Sequence, residues 1–383
     1  MKDDKIDRRS MLKGTMALGA AASMAQFAMP ALAQGETLVP FSDMPEDYSR
    51  GPALPGGTHF QDTRQISDFY SANEDFYVVQ HYGQPQVDVN TFRLKVTGLV
   101  DNEREFSLAD LQGMSQTSID AGFECGGNRG PGLFQGLIGN ANWRGVSLKT
   151  VLDLCGVKPE GKEIVFFGAD VGSELIRETD VEQAFARSLS VEDAMRAENM
   201  LALEMNGEPL PLFHGKPLRL LVPGYYGVAN VKWLSQIHVQ DRRFMSRFMG
   251  RDYVTLKKEV VGGQERWVEN SVTKIQLKSA ITRVTSMGGA HKISGFVLND
   301  GTALRSVEVK IDNGQWQRAE LDSRATQYSW KLFSLDWNAS PGDHTMVSRV
   351  TDINGNVQVT MDEMPEKVSR WENYAQFPRT ITI

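Results

Sequence analysis

Apolar residues in this chain recur with two periods, and the switch between them marks the elements. In TFRLKVTGLV (Thr91–Val100), Phe92, Leu94 and Val96 alternate with polar neighbours, the period of a half-buried strand. EIVFFGAD (Glu163–Asp170) is a short continuous apolar run, which predicts a buried strand. LRLLVPGYYG (Leu218–Gly227) predicts another that ends in a turn. SLKTVLDLCGV (Ser147–Val157) instead places Leu148, Val151, Leu152 and Cys155 at helical spacing, with Gly156 as the stop. Cys155 falls on that apolar face, where a buried, inert thiol is expected.

The texture changes after about Thr255. KKEVVGGQERWVENSV (Lys257–Val272) is polar and contains glycine, and reads as a linker. Short β-rich runs follow: SVEVKIDNGQW (Ser306–Trp316), YSWKLFSLDW (Tyr328–Trp337) and HTMVSRVTDINGNVQV (His344–Val359). Asn313-Gly314 and Asn354-Gly355-Asn356 are hairpin turn signals. Strands at this spacing imply an all-β sandwich of immunoglobulin-like size. Residues 34–75, rich in Pro, Gly and polar side chains, read as a wrapping arm.

Composition narrows the function classes. At 383 residues, with 41% hydrophobic and 23% charged side chains, the chain has room for two ordinary domains. A net charge of −7 argues against a nucleic-acid partner. Two cysteines allow at most one bridge. The six histidines show no zinc-motif pairing, and CxxC, the haem motif CxxCH, GxGxxG, the phosphate loop and GxSxG are all absent from the sequence.

Residues 1–33 carry paired Arg8 and Arg9, then a weakly apolar stretch with no charge between Lys13 and Glu36. They end on Ala31-Leu32-Ala33, an A-x-A cleavage pattern. This resembles a twin-arginine export signal, and implies a periplasmic protein that no longer holds a membrane segment once the signal is removed. A retained anchor is the alternative, since the uncharged stretch is just long enough to span.

The other cysteine, Cys125, sits in GFECGGNRG (Gly122–Gly130), between an acid and glycines, with Asn128 and Arg129 behind it. Glycines let backbone approach a bound group, and a nearby Arg favours thiolate. Three readings stay open on residue type alone. Cys125 is a nucleophile that needs a base such as His81 or His214, a soft thiolate ligand to a transition metal, or a small buried residue in a tight loop.

Longer segments resemble the sulfite oxidase family of molybdenum enzymes. GFECGGNRG matches the family's E-C-x-G-N segment. LEMNGEPLPLFHGKPLRLLVPGYYGVANVKWL (Leu203–Leu234) matches its E-M-N-G-x-P-L-P … H-G-x-P-x-R-x-x-V-P-G … V-K-W-L stretch in order. ARSLSVEDA (Ala186–Ala194), FMGRDY (Phe248–Tyr253) and the β-rich segments after Thr255 follow the same pattern, so that the resemblance covers roughly Phe76 to Gln358. It implies an α+β molybdopterin-binding domain over 76–255 and a β-sandwich dimerisation domain over 270–383.

It also implies site residues. Cys125 is the metal ligand, and Tyr253 lies near the metal. His81, Asn128, Asp170, Ser188, His214, Arg219 and Lys232 hold the pterin and its phosphate, a set rich in the cationic donors such a group needs. The implied reaction is oxo transfer to a sulfur oxyanion such as sulfite. Electrons leave to a separate c-type cytochrome because this chain has no haem motif, and the assembly is a homodimer or a complex with a haem subunit.

Two positions depart from the family. Val79 and Gly130 stand where relatives carry substrate-holding basic residues. Arg129, and more loosely Arg379, are the candidates to replace them. An altered pocket widens the expectation to carrier-bound sulfur, towards which the spacing H-x-G-x-P-x-x-D (His81–Asp88) leans. A non-catalytic cofactor-binding subunit is a further alternative.

Overall fold

Leu94 and Val96 are wholly buried on the strand Arg93–Gly98 while their neighbours face outward, as the alternation predicts. The computed structural model that shows this describes residues 32–44, 59–66, 68–129 and 135–383. The export segment up to residue 31 and Gly130 lie outside the described residues.

Arg93–Gly98 belongs to a five-stranded sheet in the order Arg104–Ser107, Arg93–Gly98, Leu234–Gln240, Glu163–Ile176, Thr179–Ser190. Only the contact between Leu234–Gln240 and Arg93–Gly98 is parallel. A second sheet runs Arg219–Leu221, Met200–Met205, Ile138–Ser147, Gln116–Glu124, with Glu208–Pro209 on the flank. This second sheet delivers Cys125 at the end of one strand and Arg219 at the start of another.

The expected helix forms over Leu148–Cys155, buries Leu148, Val151, Leu152 and Cys155, and stops at Gly156 in the left-handed region, φ 71°. Among the described residues the other α-helices, Leu108–Gly113, Val191–Ala194 and Arg247–Gly250, are shorter still. The expected α+β domain is therefore corrected to a mostly β unit with few helices. The physical reason is in the apolar runs: Ile164, Val165 and Phe166 are consecutive and all buried, the mark of a strand covered on both faces.

The C-terminal runs form two packed sheets. One is ordered Thr37–Val39, Lys278–Met287, Ala290–Leu298, Lys331–Trp337, Glu320–Leu321, and the other Gln317–Arg318, Leu304–Ile311, Asp343–Asp352, Arg379–Thr382. Val284, Ile293 and Phe333 of the first meet Val309, Met346 and Val350 of the second in one apolar core. Both turn signals form: Gly314 donates to the Ile311 carbonyl at 3.0 Å, and Gly355 takes φ 89° beside the Asp352 cap.

Two boundaries differ from expectation. The segment read as a linker is a hairpin of Val254–Val261 on Gln264–Ser271, closed by Gly262-Gly263. Its polarity reflects uncovered faces, with Val260 75% and Trp267 45% exposed, rather than lack of structure. The arm is structural too: Thr37–Val39 adds a strand to the sandwich, Phe41 and Met44 enter its core, and Phe60, Ile66 and Phe69 enter the core of the first unit.

Candidate active site

Cys125 follows the strand Gln116–Glu124, where its backbone is held on both sides. Its amide donates to the Leu137 carbonyl at 2.9 Å, and its carbonyl accepts from the Asn128 amide at 2.9 Å. The next two glycines are required by crowding. A Cβ on Gly126 would lie 2.9 Å from Val272, and one on Gly127 would lie 2.9 Å from the Trp371 ring. The sulfur accepts a hydrogen bond from the Gly127 amide at 3.5 Å. Burial pushes the thiol up to about 11, against the pull of that amide and of Arg370. The free chain therefore carries a protonated sulfur, and a bound metal ion would convert it to thiolate.

Glu124, beside the cysteine, is buried in an ion pair with Lys278 at 2.7 Å, and both side chains are almost wholly enclosed. Removing one partner of such a pair leaves an uncompensated charge, at a cost of about 3–5 kcal/mol.

The sulfur faces a cleft that is also lined by Tyr77, Val79, His214, Arg219, Asn230 and Lys232. A second lobe shares Val79, Asn230 and Lys232 and adds His81, Asp170 and Phe185. Arg219 is buried against Trp143, its guanidinium carbon 4.8 Å from the ring centroid. It donates to the carbonyls of His214 and Asn230, each at 3.2 Å, and its Nε finds no partner. Burial, with Arg219 nearby and Asp170 opposing, brings Lys232 down to about 7. Burial takes Asp170 up to about 6, against the pull of its own backbone amide, and its Oδ1 finds no hydrogen-bond partner.

His214 donates from Nε2 to the Asn73 carbonyl at 2.7 Å, which leaves Nδ1 as an acceptor. Burial and Arg219 hold the ring down to about 3, so it is neutral. Buried cationic groups held short of full pairing are costly alone and suit an anionic, hydrogen-bonding guest. Among the described residues no cluster of three or more His, Cys, Asp or Glu side chains can hold a metal ion. A metal beside Cys125 would thus take its remaining ligands from an organic partner. The residues fit molybdopterin, whose sulfurs and phosphate supply those needs.

Tyr253 is 4% exposed, and its hydroxyl lies 2.9 Å from His81 Nε2. The phenol stacks on Trp371 at 4.3 Å between centroids. Burial and then Cys125 push it well above its ordinary value. His81 packs between Phe185 and Phe248, and burial, with Lys232 and Arg247, takes it down to about 4. Arg187, wholly buried, donates to the carbonyls of Phe248 and Val272, one on each side of the Tyr253 segment. Arg247 fixes the same segment by pairing with Glu174 and, at 2.5 Å, with Asp252.

The structure thus gathers Cys125, His81, Asp170, His214, Arg219, Lys232 and Tyr253. It does not gather the rest. Asn128 donates to Glu124 at 2.9 Å and to the Gln135 carbonyl at 3.0 Å, and accepts from the Leu137 amide, so its side chain closes the loop instead of facing the cleft. Ser188 donates to Glu163 at 3.1 Å and lines neither lobe. Arg129 is exposed in a separate groove with Met361, Met364, Lys367 and Phe377. Arg379 is buried in the sandwich, paired with Asp43 at 2.9 Å.

Sequence reasoning missed Arg370 and Trp371. Arg370 acts electrostatically on both Cys125 and Tyr253, and its guanidinium lies over Trp371. Neither belongs to a motif; a basic residue beside a Trp in a polar segment was the only signal. Tyr77, which lines the cleft beside Cys125, was also missed.

Residues 81–248 match the family described as "Oxidoreductase molybdopterin binding domain". Human mitochondrial sulfite oxidase is 30% identical over 356 residues, covering 84% of this chain and 64% of the human one. Arabidopsis thaliana sulfite oxidase is 26% identical over 332 residues, covering 76% and 83%. Barley (Hordeum vulgare) nitrate reductase [NAD(P)H] is 29% identical over 301 residues, 68% of this chain and 33% of that protein. The chain therefore spans less than two thirds of the human protein's length. The crystal structure of the sulfane dehydrogenase SoxCD from Paracoccus pantotrophus superposes with a TM-score of 0.74 over 96% of both chains at 24% identity, a likeness of fold.

Proposed function

The chain belongs to the sulfite oxidase family of molybdopterin-dependent oxidoreductases, and from that premise we propose that it oxidises sulfite or a related sulfur compound. The observation that carries this reading is the meeting of one buried thiol, Cys125, with Arg219, Lys232 and His214 around a single cleft. When bound, the molybdenum centre supplies oxo transfer and the two-electron redox change.

The residues divide the remaining work. Cys125 would ligate the metal. Arg219 and Lys232 would neutralise the anionic tail, and an anion held there would favour the charged form of Lys232. His214, locked by Asn73, presents Nδ1 as an acceptor. Tyr253, held by His81 and stacked on Trp371, would hold its hydroxyl toward the group that Cys125 binds. Arg370, an exposed guanidinium whose charge is felt at Cys125 and Tyr253, would supply the cation for an oxyanion that Val79 cannot provide.

The apolar Val79 on the cleft wall also favours a second reading, a sulfane dehydrogenase-type subunit acting on sulfur held by a carrier protein. In either case electrons pass singly to an external c-type cytochrome. A haem subunit or a second copy, docked through the sandwich, completes the assembly. The paired Arg8 and Arg9 support export to the periplasm with the cofactor already in place. A non-catalytic role is the third reading.

Metal analysis and a steady-state assay with sulfite and cytochrome c test the proposal together. About one molybdenum per chain with sulfite turnover supports the first reading. Molybdenum with turnover only on a thiosulfate-carrier protein supports the second. A folded, properly matured chain without molybdenum overturns both.

A further inference from the structure

We infer that Lys278, supplied by the C-terminal sandwich, is a positioning residue for Cys125, so that the sandwich completes the redox site. The inference rests on the reading of Cys125 as a metal ligand. Lys278 opens the strand Lys278–Met287 and is only 1% exposed. It lines neither lobe of the cleft and so has no place among the groups that face the cofactor. Its Nζ reaches Glu124 Oε2 at 2.7 Å, and the same oxygen accepts from Asn128 Nδ2 at 2.9 Å.

Asn128 passes the restraint on, to the Gln135 carbonyl at 3.0 Å and from the Leu137 amide at 3.1 Å. Cys125 hangs inside this frame, with its amide on Leu137 and its carbonyl on Asn128. One ammonium group therefore fixes both ends of the loop that aims the sulfur. The same sandwich unit presses on the loop a second time: the Glu372 amide donates to the Gly126 carbonyl at 2.7 Å, and Trp371 packs on Gly127. A buried ion pair is a poor device for stability alone, because both charges lose water, whereas as a fixer of geometry it is well suited.

The test uses the cofactor-loaded protein and four variants. Lys278→Met is expected to keep at least about half of the molybdenum, to shift the sulfur-to-metal absorption band and the Mo(V) resonance, and to lower kcat at least about tenfold with KM within about twofold. Lys331→Met removes another buried sandwich lysine, one bound only to nearby backbone and Asn299. It is expected to lower the melting temperature and leave the spectrum unchanged. If Lys278→Met alone fails to fold, the uncharged pair Glu124→Gln with Lys278→Met supplies the spectrum instead.

In the cofactor-free protein, amide exchange at residues 125–128 is expected to rise at least about tenfold in Lys278→Met, with the strand Ile138–Ser147 unchanged. Parental spectra and parental kcat in the Lys278 variants would overturn the inference. Cys125→Ser separates the two levels. If it too keeps the parental absorption band, the ligation reading fails. If it loses the band while the Lys278 variants keep theirs, only the positioning role fails.

Discussion

His81 Nε2 and the hydroxyl of Tyr253 stand 2.9 Å apart, joining a loop near the start of the first unit to the segment that enters the hairpin. The bond spans 172 residues of sequence and sits behind the aromatic pair Tyr253–Trp371. Tyr253→Phe keeps the ring and its stacking but loses the hydroxyl. Turnover of sulfite, measured as kcat/KM, is expected to fall roughly 10- to 100-fold, the worth of one hydrogen bond to a charged group. Molybdenum content should stay at the parental level.

Cys125→Ser replaces the sulfur with a harder, weaker ligand of similar size. Turnover is expected to be lost while the melting temperature stays within a few degrees of the parent's. Full activity in this variant would end the ligation reading.

Val79 lines both lobes of the cleft with an apolar side chain. Val79→Arg is expected to tighten sulfite binding about tenfold, read from KM or from sulfate inhibition, by adding a charge-assisted hydrogen bond. Unchanged affinity means that this wall does not contact the oxyanion.

Arg370→Met removes the cation that acts on Cys125 and Tyr253 from the C-terminal segment. On the reading that this guanidinium holds the anion throughout the cycle, KM for sulfite should rise at least about tenfold with a smaller change in kcat. A change confined to kcat would assign Arg370 to another step.

Acid should destabilise the cofactor-free chain. His214 is held down to about 3 and His81 to about 4, both below the unfolded value of about 6.5. The unfolded chain thus takes up protons first as pH falls from 6.5, and the stability present above that point is lost towards pH 4. Asp170, raised to about 6, works in the opposite sense between pH 6 and 4 but is a single group. The histidine contribution is on the order of a few kcal/mol. Thermal unfolding across this range checks it: His214→Gln should show a shallower decline than the parent, and an equal slope would assign the loss elsewhere.

Much of this was legible in the sequence because the informative residues were close together along the chain. The run from Leu203 to Leu234 contains three of the charged or imidazole groups around the cleft, and periodicity placed the strand Arg93–Gly98 and the helix Leu148–Cys155 near their observed bounds. What stayed hidden is long-range. Asn128 and Ser188 look like donors to a ligand until their partners Glu124 and Glu163 are seen. Arg370 rather than Arg379 lies on the side of the cysteine loop because the polar segment between the sandwich strands Asp343–Asp352 and Arg379–Thr382 folds back over that loop, a path no local pattern encodes. Glu124 and Lys278 are 154 residues apart, so their pairing has no local sequence signature either.

The lid over the cysteine loop has a consequence for biosynthesis. Asn373 meets Asn128 at a sequence separation of 245 residues, Trp371 packs on Gly127, and the Glu372 amide donates to the Gly126 carbonyl. When the strand bearing Cys125 leaves the ribosome, the residues that roof it have not yet been made. The loop that holds the sulfur therefore stays uncovered until nearly the whole polypeptide has been made, so the surroundings of Cys125 are among the last parts of the fold to be completed.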